Sequence, residues 1–309
     1  MISLTHINDY TIDTSNFNSL LNDPIVEEFE NTIANYVGAK YACSIHSATM
    51  AIFLCLIELE KQTIEISTII PPVVPNAILC AGHDLKYRDD TEWVGHSYIL
   101  KDFGNYKIID SAQQLDKGQF LSQANDEDLM IFSFYPTKPV GSIDGGMIVS
   151  NDKTKIDRLK VLSRYGMTPE RNSWDRKIIL PGWKMYMNSI QAHVGMQNFK
   201  KLENKARRFD EIREKYNNAF AGTQNSSRHL YRICVDERGA FLDKMKAAKI
   251  QCGIHYSAVH NIPCYARPGQ PSLPKSESHA QHTVSLPYHE KLTDEQIEYV
   301  IKNVKEHIN

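Results

Sequence analysis

The sequence predicts an α/β protein, a large domain with a mostly parallel sheet followed by a smaller α+β C-terminal domain. Two observations carry this. From about residue 41 to 164, short apolar runs alternate with helical stretches, the pattern of strands joined by helical crossovers. A long charged amphipathic stretch, about 188–220, then precedes a second series of strand, helix, short strand, loop and helix. A length of 309 residues suits one large and one smaller domain. The boundary is placed after residue 187, with a large domain over 1–187 and a linking helix plus small domain over 188–309.

The elements follow in order. Asp23-Pro24 opens a helix through IVEEFENTIANYV, with Pro in the first turn and Ile25, Val26, Phe29, Ile33 and Val37 at helical spacing; Gly38 ends it. YACSI (41–45) is a strand, followed by a helix from about Thr49. IEISTII (64–70) is a strand, followed by a helix ending near Ala81. DLKYRD, YKIID and LMIFSF are further strands. MIVS (147–150) is another, followed by a helix over about 153–164. Beyond the linking stretch, LYRICV is a strand and 240–249 a helix. The Pro- and Ser-rich stretch 263–278 is a loop, and 294–308 the final helix.

Composition excludes several classes. Hydrophobic residues make up 42% and charged residues 23%, ordinary for a globular protein. The formal net charge of -2, from 35 basic and 37 acidic residues, gives no electrostatic case for nucleic acid or an anionic membrane. No apolar run is long enough to span a bilayer, and the first residues, MISLTHINDYTIDTS, lack the basic start and apolar middle of a signal peptide. Six scattered cysteines form no CxxC pair, which argues for a reducing compartment, here the cytoplasm, and against a zinc site. No metal site is expected.

Three polar features fall at the carboxyl ends of strands, where open α/β sheets bind ligands. Ser47-Ala48-Thr49 follows the first strand and opens a helix, a setting for a phosphate, though also an ordinary helix cap. Asp110 ends YKIID and can hold a protonated ring nitrogen, or simply shape a turn. Lys138 follows LMIFSF and can form a Schiff base if its pKa is lowered, or remain a solvated loop residue. Ser133, in the strand before it, offers a hydroxyl to the same phosphate. A phosphate cradle, an acid and a lysine together are what pyridoxal phosphate requires.

At this point the chain resembles the DegT/DnrJ-type sugar-nucleotide aminotransferases, which have the fold type I architecture of pyridoxal-phosphate-dependent transferases. The most specific stretch is FSFYPTKPVGSIDGGMIVSND (132–152), similar to the family's cofactor-lysine segment. DSAQQ, GAKYACSIHSATMAI, PGWKMYMNSIQAHVGMQNFKKLE, GIHYSAVHNIPCY and LPYHEKLTDEQIEYVI resemble five further segments in the right order. The resemblance implies that Lys138 tethers pyridoxal 5'-phosphate and acts as the catalytic acid/base. Asp110 would pair with the pyridine nitrogen and Gln113 sit near the ring. Ala48, Thr49 and Ser133 would bind the phosphate, with Lys184 reaching it from the neighbouring subunit of a homodimer. His255, Tyr256 and His260 lie where the family has substrate-side residues. The implied reaction moves an amino group, with glutamate as the expected donor, through a pyridoxamine 5'-phosphate form to a keto sugar linked to a nucleotide, in amino sugar or polysaccharide synthesis.

Some residues depart from the family pattern. Ala48 replaces a glycine and Asp144 a glutamate. IIPPVVPNAI lacks the aromatic that commonly stacks on the ring, leaving Val73, Val74 or another segment to cover it. The alternatives are a cofactor-binding sensor without turnover and an aminotransferase for a cyclic ketone without a nucleotide. Dehydratases of similar fold replace the lysine with histidine, so Lys138 argues against that reaction.

Overall fold

The computed structural model describes residues 1–308 other than 8, 9, 14, 16, 21, 22, 169–172 and 221–224. Helix α1 (Pro24–Val37) starts where Asp23 accepts the N–H of Ile25 and stops at Gly38, whose φ of 86° lets its N–H turn back to Ala34 O. Then come β1 (Tyr41–Ile45), α2 (Ala48–Leu56), β2 (Thr63–Ser67), α3 (Val73–Cys80) and β3 (Asp84–Arg88). Strands β2 and β3 are parallel and joined through α3, a helical crossover.

Next in the chain are β4 (Tyr98–Asp102), β5 (Lys107–Asp110), α4 (Gln119–Gln123), β6 (Leu129–Ser133), β7 (Gly146–Ser150) and α5 (Lys153–Ser163). The central sheet has the order β1-β7-β6-β5-β4, and β2-β3 forms a separate pair lying beside β4. Here the expectation of a mostly parallel sheet is corrected. In the central sheet only β5 and β6 run parallel; β1–β7, β6–β7 and β4–β5 are antiparallel. The physical reason lies in the connections. Residues 103–106 form a tight turn, with Phe103 N–H on Tyr106 O, too short for a crossover. Residues 134–145 likewise fold back without a helix. Strands buried on both faces read as continuous apolar runs whatever their direction, so the sequence pattern does not separate the two cases.

The strands divide their side chains between two cores. Ile108, Ile131 and Ile148 pack with α2, α3 and α5; Ile109, Met130, Phe132 and Val149 pack with α1. This period-two split makes a three-layer sandwich. Glu30 in α1 is buried and braces it, accepting from Ser44 N and Oγ at 2.7 and 2.8 Å and pairing with Lys160 Nζ at 2.6 Å.

The stretch expected as one linking helix is two, α6 (Ser189–Phe199) and α7 (Leu202–Ala219). A capping box of Asn188 and Gln191 starts α6. The remainder comprises β8 (Tyr231–Cys234), α8 (Arg238–Ala247), α9 (Pro274–His282), β9 (Thr283–Leu286) and α10 (Asp294–His307). The loop expected over 263–278 becomes helical at Pro274, since Pro suits a first turn. Strands β8 and β9 pair antiparallel, and a third core gathers Tyr216, Tyr231, Phe241, Val284 and Val300. Among the described residues, no helix is long and apolar enough to cross a membrane.

Candidate active site

The site forms where β5, β6 and the turn before β7 end. Lys138 sits in that turn, its N–H bonded to Tyr135 O at 2.8 Å. The turn is fastened from behind. Lys205 Nζ donates to Pro139 O at 2.9 Å, Asn198 Nδ2 to Gly141 O at 2.6 Å, and Ser142 Oγ to Gln191 O at 2.6 Å. Gln191 Nε2 also reaches the carbonyls of His46 and Asp144, tying the turn to the start of α2. A lysine on a rigid turn is held at one place, as a reacting amine needs.

Burial pushes the Lys138 amine down to about 8, with the Asp110 carboxylate partly opposing that fall. Its Nζ lies 3.2 Å from His229 Nε2. Burial, then the charge of Lys138, holds the His229 imidazole well below its ordinary pKa, so His229 is neutral and its Nε2 can accept from the lysine.

Asp110 ends β5 and is 3% exposed. It accepts from Tyr98 Oη at 2.7 Å and from Ala112 N–H at 2.9 Å. Burial raises its pKa, and those hydrogen bonds oppose the rise. Gln113 is buried; Gly95 N–H donates to its Oε1 at 2.7 Å, and its Nε2 donates to Tyr256 Oη at 3.0 Å. Burial, then Asp110, raises the Tyr256 pKa and keeps that phenol protonated. His255 packs edge-on against Tyr256, with ring centroids 5.1 Å apart. Its Nδ1 lies 2.9 Å from Ser285 Oγ, and burial followed by Lys138 pushes it down to about 4.

Ala48 and Thr49 occupy the first turn of α2, where backbone N–H groups have no carbonyl ahead of them. Ser47 caps that helix by accepting from Met50 N–H. The glycine before MIVS has a physical cause: a Cβ on Gly146 would fall 2.5 Å from Ala48 N, so only glycine lets β7 approach this turn. Ser133 ends β6, and its Oγ accepts from Tyr135 N–H. Val74 is buried, while Val73 is 45% exposed.

Two of the sequence-derived residues stand apart. His260 Nδ1 lies 2.6 Å from Thr68 Oγ1 and its Nε2 3.6 Å from Glu277, with no hydrogen bond or ion pair to the Lys138 cluster among the described residues. Lys184 is exposed on a stretch bridged to Arg164, with no hydrogen bond or ion pair to that cluster among the described residues. Sequence reasoning missed His229, Tyr98 and Arg232. Arg232 Nη2 donates to Val94 O at 3.1 Å, beside the Gly95 that holds Gln113. These residues carry no motif; only the folded chain brings His229 to Lys138, Tyr98 to Asp110 and Arg232 to the segment that holds Gln113. Among the described residues no cluster of metal-ligating groups is present.

The chain is similar to known aminotransferases. A UDP-4-amino-4,6-dideoxy-N-acetyl-beta-L-altrosamine transaminase of Campylobacter jejuni is 23% identical over 360 aligned positions, covering 97% of this chain and 96% of its own. The spore coat polysaccharide biosynthesis protein SpsC of Bacillus subtilis is 25% identical, covering 92% of this chain and 89% of its own. Helicobacter pylori PseC, an aminotransferase involved in the biosynthesis of pseudoaminic acid, superposes with a TM-score of 0.81 at 16% identity, covering 99% of both chains. The shared fold is that of fold type I transferases. The profile of the DegT/DnrJ/EryC1/StrS aminotransferase family matches residues 5–73 and 110–305, and the chain belongs to that family as an aminotransferase.

Proposed function

We propose that this aminotransferase uses pyridoxal 5'-phosphate to move an amino group from an amino acid, with glutamate the favoured donor, to a keto sugar linked to a nucleotide. The observation that carries the reading is Lys138, an amine lowered to about 8 on a fastened turn beside the buried acid Asp110. The donor set fits the cofactor: an amine for its aldehyde, a carboxylate for its ring nitrogen, and the first turn of α2 for its phosphate. The nucleotide-sugar name of the Campylobacter relative and the polysaccharide role of the Bacillus one support the acceptor class.

When bound, the cofactor supplies an electrophilic carbon and a protonated ring that withdraws electrons. The residues of the chain do the rest. Ala48, Thr49 and Ser133 would hold the phosphate, Asp110 would pair with the ring nitrogen, and Gln113 would sit near the ring. Lys138 Nζ, near half-protonated around pH 8, would take the proton from the carbon of the amino donor and later give one to the former carbonyl carbon of the acceptor. His229 accepts a hydrogen bond from that amine and keeps it aimed. His255 and Tyr256 line the substrate side, and His260 is the outermost candidate.

Lys184 is exposed and makes no hydrogen bond or ion pair to the Lys138 cluster among the described residues, which fits a role in a neighbour's site. A homodimer with shared sites therefore belongs to the proposal. So does a cytoplasmic setting, where nucleotide sugars and glutamate are available. A test is to incubate the protein with pyridoxal phosphate, glutamate and UDP-linked keto sugars, and to detect the amino sugar by mass. Product with the parent protein and none with Lys138→Ala is expected; product at the normal rate from Lys138→Ala would sink the reading.

A further inference from the structure

The family profile passes over residues 74–109, yet part of this stretch reaches the candidate site. Strand β4 runs antiparallel to β5 and places Tyr98 directly opposite Asp110 in register. From there the Tyr98 hydroxyl donates to Asp110 Oδ2 at 2.7 Å, while Ala112 N–H takes Oδ1 at 2.9 Å. Each carboxylate oxygen thus has one donor, and rotation about Cβ–Cγ is blocked. The phenol ring is fixed in turn by Trp93, with ring centroids 4.5 Å apart. Tyr98 and Asp110 are both buried, 9% and 3% exposed, so water does not replace a lost donor freely. The turn just before β4 makes a parallel contact. Gly95 N–H holds Gln113 Oε1 at 2.7 Å, and Ser227 Oγ ties Gly95 O at 2.9 Å.

We propose that Tyr98 is a positioning residue for Asp110, orienting the carboxylate toward the cofactor ring nitrogen from a strand outside the part of the chain that the family profile describes. This rests on the proposed pairing of Asp110 with that nitrogen. A strand running antiparallel to β5 starts at the end where β5 stops. The hairpin therefore delivers its first residue to the carboxyl end of β5, where Asp110 stands. The phenol hydroxyl is a donor here, since burial and the neighbouring carboxylate both keep it protonated. With that donor removed, the buried carboxylate keeps one hydrogen bond, turns more freely, and holds the ring nitrogen less well.

The experiment is equilibrium binding of pyridoxal phosphate to the cofactor-free protein, followed by absorbance. It compares the parent with Tyr98→Phe, Asp110→Asn and the double variant. It is repeated with 1-deazapyridoxal phosphate, which lacks the ring nitrogen. Tyr98→Phe keeps the ring against Trp93 and removes only the hydroxyl. It is expected to weaken pyridoxal phosphate binding about tenfold, the order set by one hydrogen bond to a charged group. It should leave the affinity for the deaza compound unchanged and have no effect when Asp110 is already Asn. Parent-like binding by Tyr98→Phe, with Asp110→Asn impaired, would overturn the role of Tyr98 alone. An equal loss with the deaza compound, or in the Asn background, would show that Tyr98 acts only on packing and would overturn it too. If Asp110→Asn binds pyridoxal phosphate as tightly as the parent, the reading of Asp110 itself falls.

Discussion

Lys138 should destabilise the protein that it serves, and replacing it with methionine should show by how much. Its amine falls from an ordinary 10.5 to about 8, chiefly through burial. At ~1.4 kcal/mol per pH unit, that fall corresponds to about 3 kcal/mol against the charged form in the folded state. The folded-state pKa lies below the unfolded one. Between pH 8 and 10.5 the unfolded chain therefore binds more protons, and stability rises with pH across that window. Below about pH 8 the penalty is complete; above about pH 10.5 it is gone. Methionine keeps the length of the side chain and has no charge. It removes the penalty but also the 3.2 Å contact with His229, worth ~1 kcal/mol. At pH 7 the cofactor-free Lys138→Met protein should thus be more stable than the parent by about 2 kcal/mol. The difference should shrink from pH 8 upward and reverse by about 1 kcal/mol beyond pH 10.5. Urea unfolding of both proteins at several pH values measures it. A Lys138→Met protein that is less stable at pH 7, or whose advantage does not change with pH, refutes the claim that this amine is held against its charge.

Three other outcomes follow from the same geometry. Glu30→Ala should lower stability by about 2 kcal/mol, because Lys160 and Ser44 lose their buried acceptor; a change below ~0.5 kcal/mol in urea unfolding would contradict the bracing role. Gly146→Ala should cost about 1–3 kcal/mol and weaken pyridoxal phosphate binding, because the added Cβ meets Ala48 N; unchanged affinity would show that the first turn of α2 does not hold the phosphate. Co-expressed Lys138→Ala and Lys184→Ala chains should recover about a quarter of the activity, since half of the dimers are mixed and each of those has one intact site. No recovery, with both single variants inactive, would place the two lysines in one chain's site.

Some of this is legible in the sequence, and the rest is hidden for identifiable reasons. Helix α1 is readable at both ends because its signals are local: Asp23 and Pro24 start it, and Gly38 stops it. Strands β1, β5, β6 and β7 are readable as apolar runs, but their directions are not, because a buried run carries no sign of direction. Strand β4 escapes notice. Its residues, YILKD, alternate in burial over only five positions, and its turn carries a single glycine. At the site, Asp110 ends one apolar run and Lys138 closely follows another, so each is marked by its place along the chain. Tyr98, His229 and Arg232 have no such mark. They lie far from Lys138 in sequence and join the site only through the β4–β5 hairpin and the segment around β8. The break between α6 and α7 is equally hidden, since the charged stretch keeps helical spacing across Lys200 and Lys201.

The most direct test of the account is the visible absorption spectrum of the purified protein with pyridoxal phosphate, recorded before and after glutamate and again after a nucleotide-linked keto sugar. The account predicts a yellow band that is absent from Lys138→Ala, bleaches with glutamate and returns with the sugar. A parent protein that forms no band, or a band equally strong without Lys138, would contradict it.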